Sequence, residues 1–162
     1  MVVANLLYTI PSLALFVVIP GLIGSKILDS VNVVVALTIY TVALLVRVIA
    51  DALISVPADV RSAAVAMGFT GPGRFLRVDL PIAVPVIVAG LRVAAASNVG
   101  LVSVGALIGV NQLGSLFTEG FTLDVGSIVL LGILLCVLLA LILDTTIVLT
   151  GRRLTTWQRA VS

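Results

Sequence analysis

Long apolar runs alternate with short polar segments along this chain. Four runs contain no charged side chain at all: residues 2–25, 30–46, 93–118 and 125–143. A helix needs about 20 apolar residues to cross the hydrocarbon core of a bilayer, so the pattern predicts about four membrane-spanning helices. We place these spans at residues 3–24, 31–50, 82–104 and 126–149. The runs lack the period-two alternation of barrel strands, and the predicted fold class is therefore an all-α membrane protein.

Two segments between the spans are predicted to hold short helices. In the polar segment 51–80, a first helix is expected to end at Gly68, because glycine readily adopts the left-handed conformation just past a helix end. The Gly-Pro-Gly stretch at 71–73 forbids its continuation, and a second short helix is expected over 74–79. The segment 105–125 is largely apolar but rich in Gly, Asn and Gln, which fits either a short helix or a re-entrant piece.

The composition excludes an ordinary soluble domain. Hydrophobic residues make up 61% of the 162 residues, charged residues make up 10%, and the mean hydropathy is +1.36. Soluble domains carry about 25% charged residues, so this chain cannot cover itself with a polar surface. Because no repeat or linker marks a boundary, we treat residues 1–162 as one transmembrane domain in a lipid bilayer.

The sequence also excludes several kinds of function. The net charge of +2 is too small and too dispersed for nucleic-acid binding. Histidine is absent, Cys136 stands alone and the carboxylates are scattered, so we predict neither a catalytic site nor a metal site. The sequence contains no phosphate-binding loop of the Gly-x4-Gly-Lys-Ser/Thr type. We therefore expect that the chain is not an enzyme and binds no cofactor, and that ATP and Mg are held by a partner subunit.

The basic residues predict the orientation in the membrane. Of the nine Lys and Arg residues, six lie in segment 51–80 or in the C-terminal tail: Arg61, Arg74, Arg77, Arg152, Arg153 and Arg159. The opposite side of the predicted bundle contains only Lys26. Because Lys and Arg accumulate in cytoplasmic loops, we predict that segment 51–80 and the tail are both cytoplasmic.

The first helix predicted in segment 51–80 has two interpretations. Val60, Ala63, Ala64 and Met67 fall on one face at helical spacing. This face could lie on the membrane surface, but a membrane-lying helix usually buries bulky Leu, Phe or Trp side chains. Small side chains instead allow a second protein to approach closely, so we favour a docking surface for a partner.

This segment resembles the cytoplasmic EAA loop of ATP-binding-cassette (ABC) importer permeases. That loop has the pattern Glu-Ala-Ala-x3-Gly-x9-Ile-x-Leu-Pro, and it contacts the ATPase subunit. Here Ser62 stands in place of the usual Glu, and Val78 stands in place of Ile. The resemblance implies that the following residues form the ATPase-coupling motif: Ser62, Ala63, Ala64, Gly68, Leu80 and Pro81.

The resemblance covers nearly the whole chain. It continues in residues 4–15, 80–92, 106–114 and 151–157. Together these segments are similar to the glycine betaine/carnitine/choline, or osmoprotectant, branch of the permeases. Such permeases usually carry one or two further N-terminal spans, so the chain is expected to be short at its N-terminus.

The resemblance implies a type I ABC importer permease, a multi-pass protein of the bacterial cytoplasmic membrane. The implied partners are cytoplasmic ATPase subunits, a second permease subunit (identical or homologous) and an extracytoplasmic solute-binding protein. The expected cargo is a quaternary amine such as glycine betaine, choline or carnitine. Two alternatives stay open. The chain could be a permease of the same fold for an amino acid, a sulfonate or a phosphonate, or it could be a truncated, non-transporting membrane scaffold.

Two charged residues fall inside predicted spans. Arg92 lies 11 residues beyond Pro81, roughly 16 Å at about 1.5 Å per helical residue. Asp144 lies 8 residues before Arg152, roughly 12 Å by the same rise. The similar depth predicts that Arg92 and Asp144 approach one another, and we favour a structural pair over a gate or a substrate contact.

Small polar residues in the third predicted span are candidates for lining a transport path. They are Ser97, Asn98 and Ser103. Because small polar side chains also hold membrane helices together, a path and a packing role both stay open.

Overall fold

The described part of the chain is almost entirely helical. The structure, a computed structural model, describes residues 12–26, 29–106 and 109–155. Its α-helices are α1 (Ser12–Ile23), α2 (Ser30–Ile54), α3 (Ala58–Ala66), α4 (Gly71–Arg74), α5 (Leu80–Gly105), α6 (Ser115–Thr122) and α7 (Gly126–Leu154). A π-helical turn, Phe75–Asp79, joins α4 to α5. Within the described ranges there is no β-strand, which confirms the predicted all-α class.

In the part of the chain that the structure describes, three helices are long and apolar enough to cross a membrane. They are Ser30–Ile54, Gly71–Gly105 and Gly126–Arg153. These helices contain the second, third and fourth predicted spans, and the first two extend beyond the predicted ends into segment 51–80. The first predicted span, 3–24, overlaps α1, and its earlier residues lie outside the described part of the chain.

A π-helical turn immediately precedes Pro81. The N–H of Leu80 bonds to the carbonyl oxygen of Phe75, five residues back, which is the π-helical pattern. Proline has no N–H, so Pro81 in turn cannot donate to the carbonyl group of Arg77 four residues back. One continuous helix of 35 residues runs from Gly71 to Gly105.

The start of this long helix differs from the prediction. The first short helix does end before residues 71–73, as expected, but these three residues form the opening turn of the next helix. The predicted start at Arg74 is therefore wrong. Pro72 is compatible with a first helical turn, because the N–H that proline lacks would have no intrahelical partner there.

The spans pack against one another through small side chains. Helix α5 packs between α2 and α7. The buried alanines of α2 and α5 are Ala36, Ala43, Ala52, Ala83 and Ala94. Lipid tails are as apolar as leucine, so helices in a bilayer associate mainly by close packing of this kind. Gly151 is an example, because a Cβ atom there would come within 2.8 Å of the Val88 side chain.

Two buried clusters lie near opposite ends of α2. One consists of Phe16, Ile19, Val33, Ala36 and Val110, and so joins α1, α2 and the segment after α5. The other consists of Ala52, Val56 and Ala83, where the end of α2 meets the start of α5. The second cluster joins the end of α2 to the start of α5, and α3 and α4 lie between these two points in the sequence.

Candidate functional site

Helix α3 carries the first half of the candidate docking motif. It packs against α4 and the π-helical turn. Its outward side exposes Ser62 and Ala63, together with Val65 (55% exposed) and Met67 (71% exposed). The hydroxyl of Ser62 donates to the carbonyl oxygen of Ala58 in the same helix, at 2.9 Å. The outward side is therefore mostly apolar, although the helix lies outside the spans.

The structure corrects one feature of the predicted docking face. Ala64, predicted to lie on the contact face, is only 1% exposed and packs inside the chain itself. Val60 is half-buried, whereas Met67 does face outward. Helical spacing identifies residues that share a face, but it does not identify what that face contacts. The exposed apolar residues Ala63, Val65 and Met67 flank the buried Ala64 on both sides of the helix rather than forming one stripe, and we call these three residues the outer face of α3.

Gly68 ends α3 in the conformation that the sequence predicts. Its φ angle is +82°. The N–H of Gly68 donates to the carbonyl oxygen of Val65 at 2.9 Å, and the N–H of Phe69 donates to that of Ala64 at 3.1 Å. This pair of bonds is the Schellman arrangement, which satisfies the last carbonyl groups of a helix and requires a left-handed residue.

The second half of the motif lies at the start of α5. Leu80 and Pro81 occupy its first turn, and both are half-buried. The motif residues therefore come from two elements, α3 and the base of a membrane span. The π-helical turn and α4 lie between them and pack against α3.

A charged cluster that the sequence reasoning missed connects these two elements. Asp79 is buried at the base of α5, with its side chain 7% exposed. Its Oδ1 atom lies 3.7 Å from Nε of Arg61 on α3, and its Oδ2 atom lies 3.2 Å from Nε of Arg74 on α4. Arg61 also donates to the carbonyl oxygen of Leu53 in the last turn of α2. The available signal was an acidic residue between Val78 and Leu80, in a stretch (60–81) whose other charged residues are Arg61, Arg74 and Arg77.

The structure brings Arg92 and Asp144 together. Nε of Arg92 donates to Oδ1 of Asp144 at 2.5 Å, and its second nitrogen donates to Oδ2 at 2.9 Å. The pair joins α5 to α7, and both side chains remain partly exposed, at 47% and 39%. A groove of about 190 Å³ adjoins the pair between the two helices, with Pro85, Val88 and Val148 among its lining residues.

The three candidate path residues make different contacts. The side-chain amide of Asn98 donates to the hydroxyl of Thr41 at 2.7 Å and so joins α5 to α2. Ser103 bonds to the carbonyl oxygen of Val99 at 3.4 Å and lies 3.8 Å from the sulfur of Cys136 on α7. Ser97 is half-buried. Asn98 and Ser103 thus both take part in contacts between helices.

Comparison with a solved structure defines the fold. The chain is similar to a chain of the MetNI methionine ABC transporter in inward-facing conformations, with a TM-score of 0.73 and 22% identity. The match covers 90% of this chain and 71% of that chain. The fold is therefore that of the membrane component of a type I ABC importer, as the sequence resemblance implied.

The chain belongs to the family of inner membrane components of binding-protein-dependent transport systems, whose model matches residues 1–156. It is 38% identical to the osmoprotectant import permease protein OsmW of Salmonella typhimurium, over 87% of this chain and 66% of that protein. It is 32% identical to the glycine betaine/carnitine/choline transport system permease protein OpuCD of Bacillus subtilis, over 88% and 61%. The chain thus spans about two thirds of the length of these relatives.

Family membership and the three long apolar helices agree on location. The chain is a multi-pass protein of the cytoplasmic membrane. The sequence resemblance to permeases of the osmoprotectant branch is confirmed by the names of its relatives.

Proposed function

We propose that this chain is the membrane-spanning subunit of an ATP-driven importer for osmoprotectant quaternary amines. The observation that carries the proposal is a family match over nearly the whole chain combined with an outward-facing apolar patch on α3. A helix that met only water would gain nothing from exposing Val65 and Met67, whereas a docking helix buries such side chains in its partner. The names of OsmW and OpuCD support the class of cargo.

The partners follow from this function. Cytoplasmic ATPase subunits bind the outer face of α3 and hold ATP and Mg, so this chain is not itself an enzyme. An extracytoplasmic solute-binding protein delivers the cargo. A second permease subunit completes the path. The half-exposed Arg92–Asp144 pair supports this last partner, because an ion pair at membrane depth is expected to face a protein or a water-filled path rather than lipid.

Transport in this proposal is a shift between two packings of the same spans. ATP binding brings the ATPase subunits together and moves α3, and the spans then change from an inward-facing to an outward-facing arrangement. The ATP-bound partner favours one arrangement because it binds that arrangement more tightly. Ser97, Asn98 and Ser103 stand along α5 as candidates for contacts with the path, and Arg92 and Asp144 hold α5 against α7.

Reconstitution of the complete importer in proteoliposomes tests the proposal. With ATP inside the vesicles, we expect uptake of radiolabelled glycine betaine that choline or carnitine competes with, and no uptake when the ATPase subunit is omitted. Uptake of an amino acid, a sulfonate or a phosphonate instead would favour a permease for another solute. If the chain neither binds an ATPase subunit nor supports uptake, it is a membrane scaffold and the proposal is wrong.

A further inference from the structure

The buried carboxylate of Asp79 lies where three elements meet. It is located in the π-helical turn that leads into α5, and its side chain is 7% exposed. A buried carboxylate is costly unless it is paired, and two arginines supply the pairing. Arg61 reaches it from α3 and Arg74 reaches it from α4, at 3.7 Å and 3.2 Å. The carboxylate is thus the common partner of the docking helix and the base of the long span.

Arg61 extends the same cluster to a second span. Its terminal nitrogen donates to the carbonyl oxygen of Leu53, which lies in the last turn of α2. The last four carbonyl groups of a helix have no partner within that helix, and a cation is favourable there. Arg61 therefore fastens α3 both to the end of α2 and to the start of α5.

The backbone connection from α3 to the long helix contains three glycine residues. Residues 67–70 connect α3 to α4 through Gly68, and Gly71 and Gly73 lie in the following turn. Glycine has no Cβ atom and adopts a wide range of backbone angles, so a displacement of α3 can be absorbed in this connection. The side chains of Arg61, Arg74 and Asp79 bridge across it directly.

The contact between Arg61 and Asp79 has room to tighten. Nε of Arg61 and Oδ1 of Asp79 are both buried, and neither has a hydrogen-bond partner among the described residues. Their separation of 3.7 Å exceeds the usual N–H···O range. A shift of α3 toward α5 by about 1 Å would therefore form a hydrogen bond between them. The cluster thus allows a second position of α3, in which a charge-assisted hydrogen bond is gained.

We propose that Asp79 is the positioning residue that transmits movement of the docking helix α3 to the spans α2 and α5. This inference rests on the proposed function, in which an ATPase subunit binds the outer face of α3. When ATP binding moves α3, the contact between Arg61 and Asp79 tightens, and the ends of α2 and α5 then follow α3. Without the carboxylate, α3 remains able to bind the ATPase, but its movement is absorbed by the connection through Gly68.

The test is the ratio of solute imported to ATP hydrolysed, measured with Asp79→Asn in the complete importer in proteoliposomes. Radiolabelled glycine betaine is the probe. We expect ATPase binding and ATP hydrolysis to persist, while the ratio falls by about five- to tenfold, the lower range of coupling between sites. Asp79→Glu keeps the charge, so its ratio should be close to the wild-type value.

Asp51→Asn is the matched control. It removes the same charge from the other ion pair near the end of α2, in which Arg47 and Asp51 are 3.9 Å apart and largely exposed. Because solvent-exposed pairs contribute little, the ratio should stay at the wild-type value. A merely structural role for Asp79 would lower the amount of assembled importer without changing the ratio per assembled complex.

An unchanged ratio in Asp79→Asn would overturn the inference. If that variant does not accumulate in the membrane, the same ratio is measured with Arg61→Gln, in which Asp79 keeps its bond to Arg74. An unchanged ratio in Arg61→Gln would then overturn the inference. Failure of the proposed function has a different signature, since the wild-type chain would then neither bind an ATPase subunit nor import the probe.

Discussion

The Arg92–Asp144 pair joins two helices at a depth where a lone charge is costly. Arg92→Gln and Asp144→Asn should each lower the amount of chain in the membrane several-fold, because each leaves one charge without its partner. The double variant has two neutral side chains that still hydrogen-bond, and it should recover most of that loss.

Quantitative immunoblotting of membrane fractions measures these amounts. Thr146→Ala is the control, because this residue of α7 bonds to the carbonyl oxygen of Ile142 in its own helix. A double variant that is no more abundant than the single variants would show that mutual neutralisation is not what stabilises α5 against α7.

Gly68 and Gly71 form a matched pair for testing the end of α3. A Cβ atom at either glycine would meet no other atom within 4 Å, but only Gly68 of the two has a positive φ angle, at +82°. A side chain in that conformation costs about 1–2 kcal/mol. We expect Gly68→Ala to weaken co-purification with the ATPase subunit, and Gly71→Ala to behave like the wild type. Equal co-purification of the two variants would contradict a role for the left-handed residue.

At the scale of elements, the outer face of α3 is the part of the chain that the proposed function depends on most. Met67→Glu places a charge on this surface, at a side chain that is 71% exposed, and should abolish ATPase binding while the chain still inserts. Ser62→Glu adds the same charge to an exposed position beside the outer face, and restores the usual residue of the EAA loop, so it should be tolerated. Pull-down with the ATPase subunit compares the two variants, and equal binding would exclude the outer face as the docking surface.

The second, third and fourth spans could be located from the sequence because long apolar runs match the thickness of a bilayer and are too long for an ordinary buried helix. The bounds were less accurate. Residues 71–73 are typical of a chain break, yet they open a helix, since Pro72 is tolerated in a first turn. No residue pattern identified the π-helical turn in advance.

Features of the candidate site could be predicted where they depend on a single helix or on the depth of a residue in the membrane. The φ angle of Gly68 and the approach of Arg92 to Asp144 are of this kind. The inward position of Ala64 and the contact of Arg61 with Asp79 are not, because both depend on how α3 folds back against α4 and the π-helical turn. Contacts of that kind are set by tertiary packing, which periodicity does not describe.

At the scale of the whole molecule, the basic residues predict that α3 and the end of α7 face the cytoplasm. The test uses a chain carrying Cys136→Ala, in which the exposed residue Arg77 or Arg153 is replaced by cysteine. Each of these cysteines should resist an impermeant thiol reagent that is added to intact cells. Asp124, exposed in the turn before α7, should be labelled from outside intact cells after the same change. Labelling of position 77 or 153 from outside would show that the predicted orientation is wrong.

The central claim is that α3 contacts an ATPase subunit, and photo-crosslinking in the assembled importer measures that contact most directly. A photoreactive benzoylphenylalanine is placed at Met67 or, as a control of similar exposure, at Leu130 on α7, which are 71% and 60% exposed. The account predicts a covalent adduct with the ATPase subunit from position 67 and none from position 130. If an importer that transports glycine betaine gave no ATPase adduct from position 67, the account of α3 as the docking helix would be contradicted.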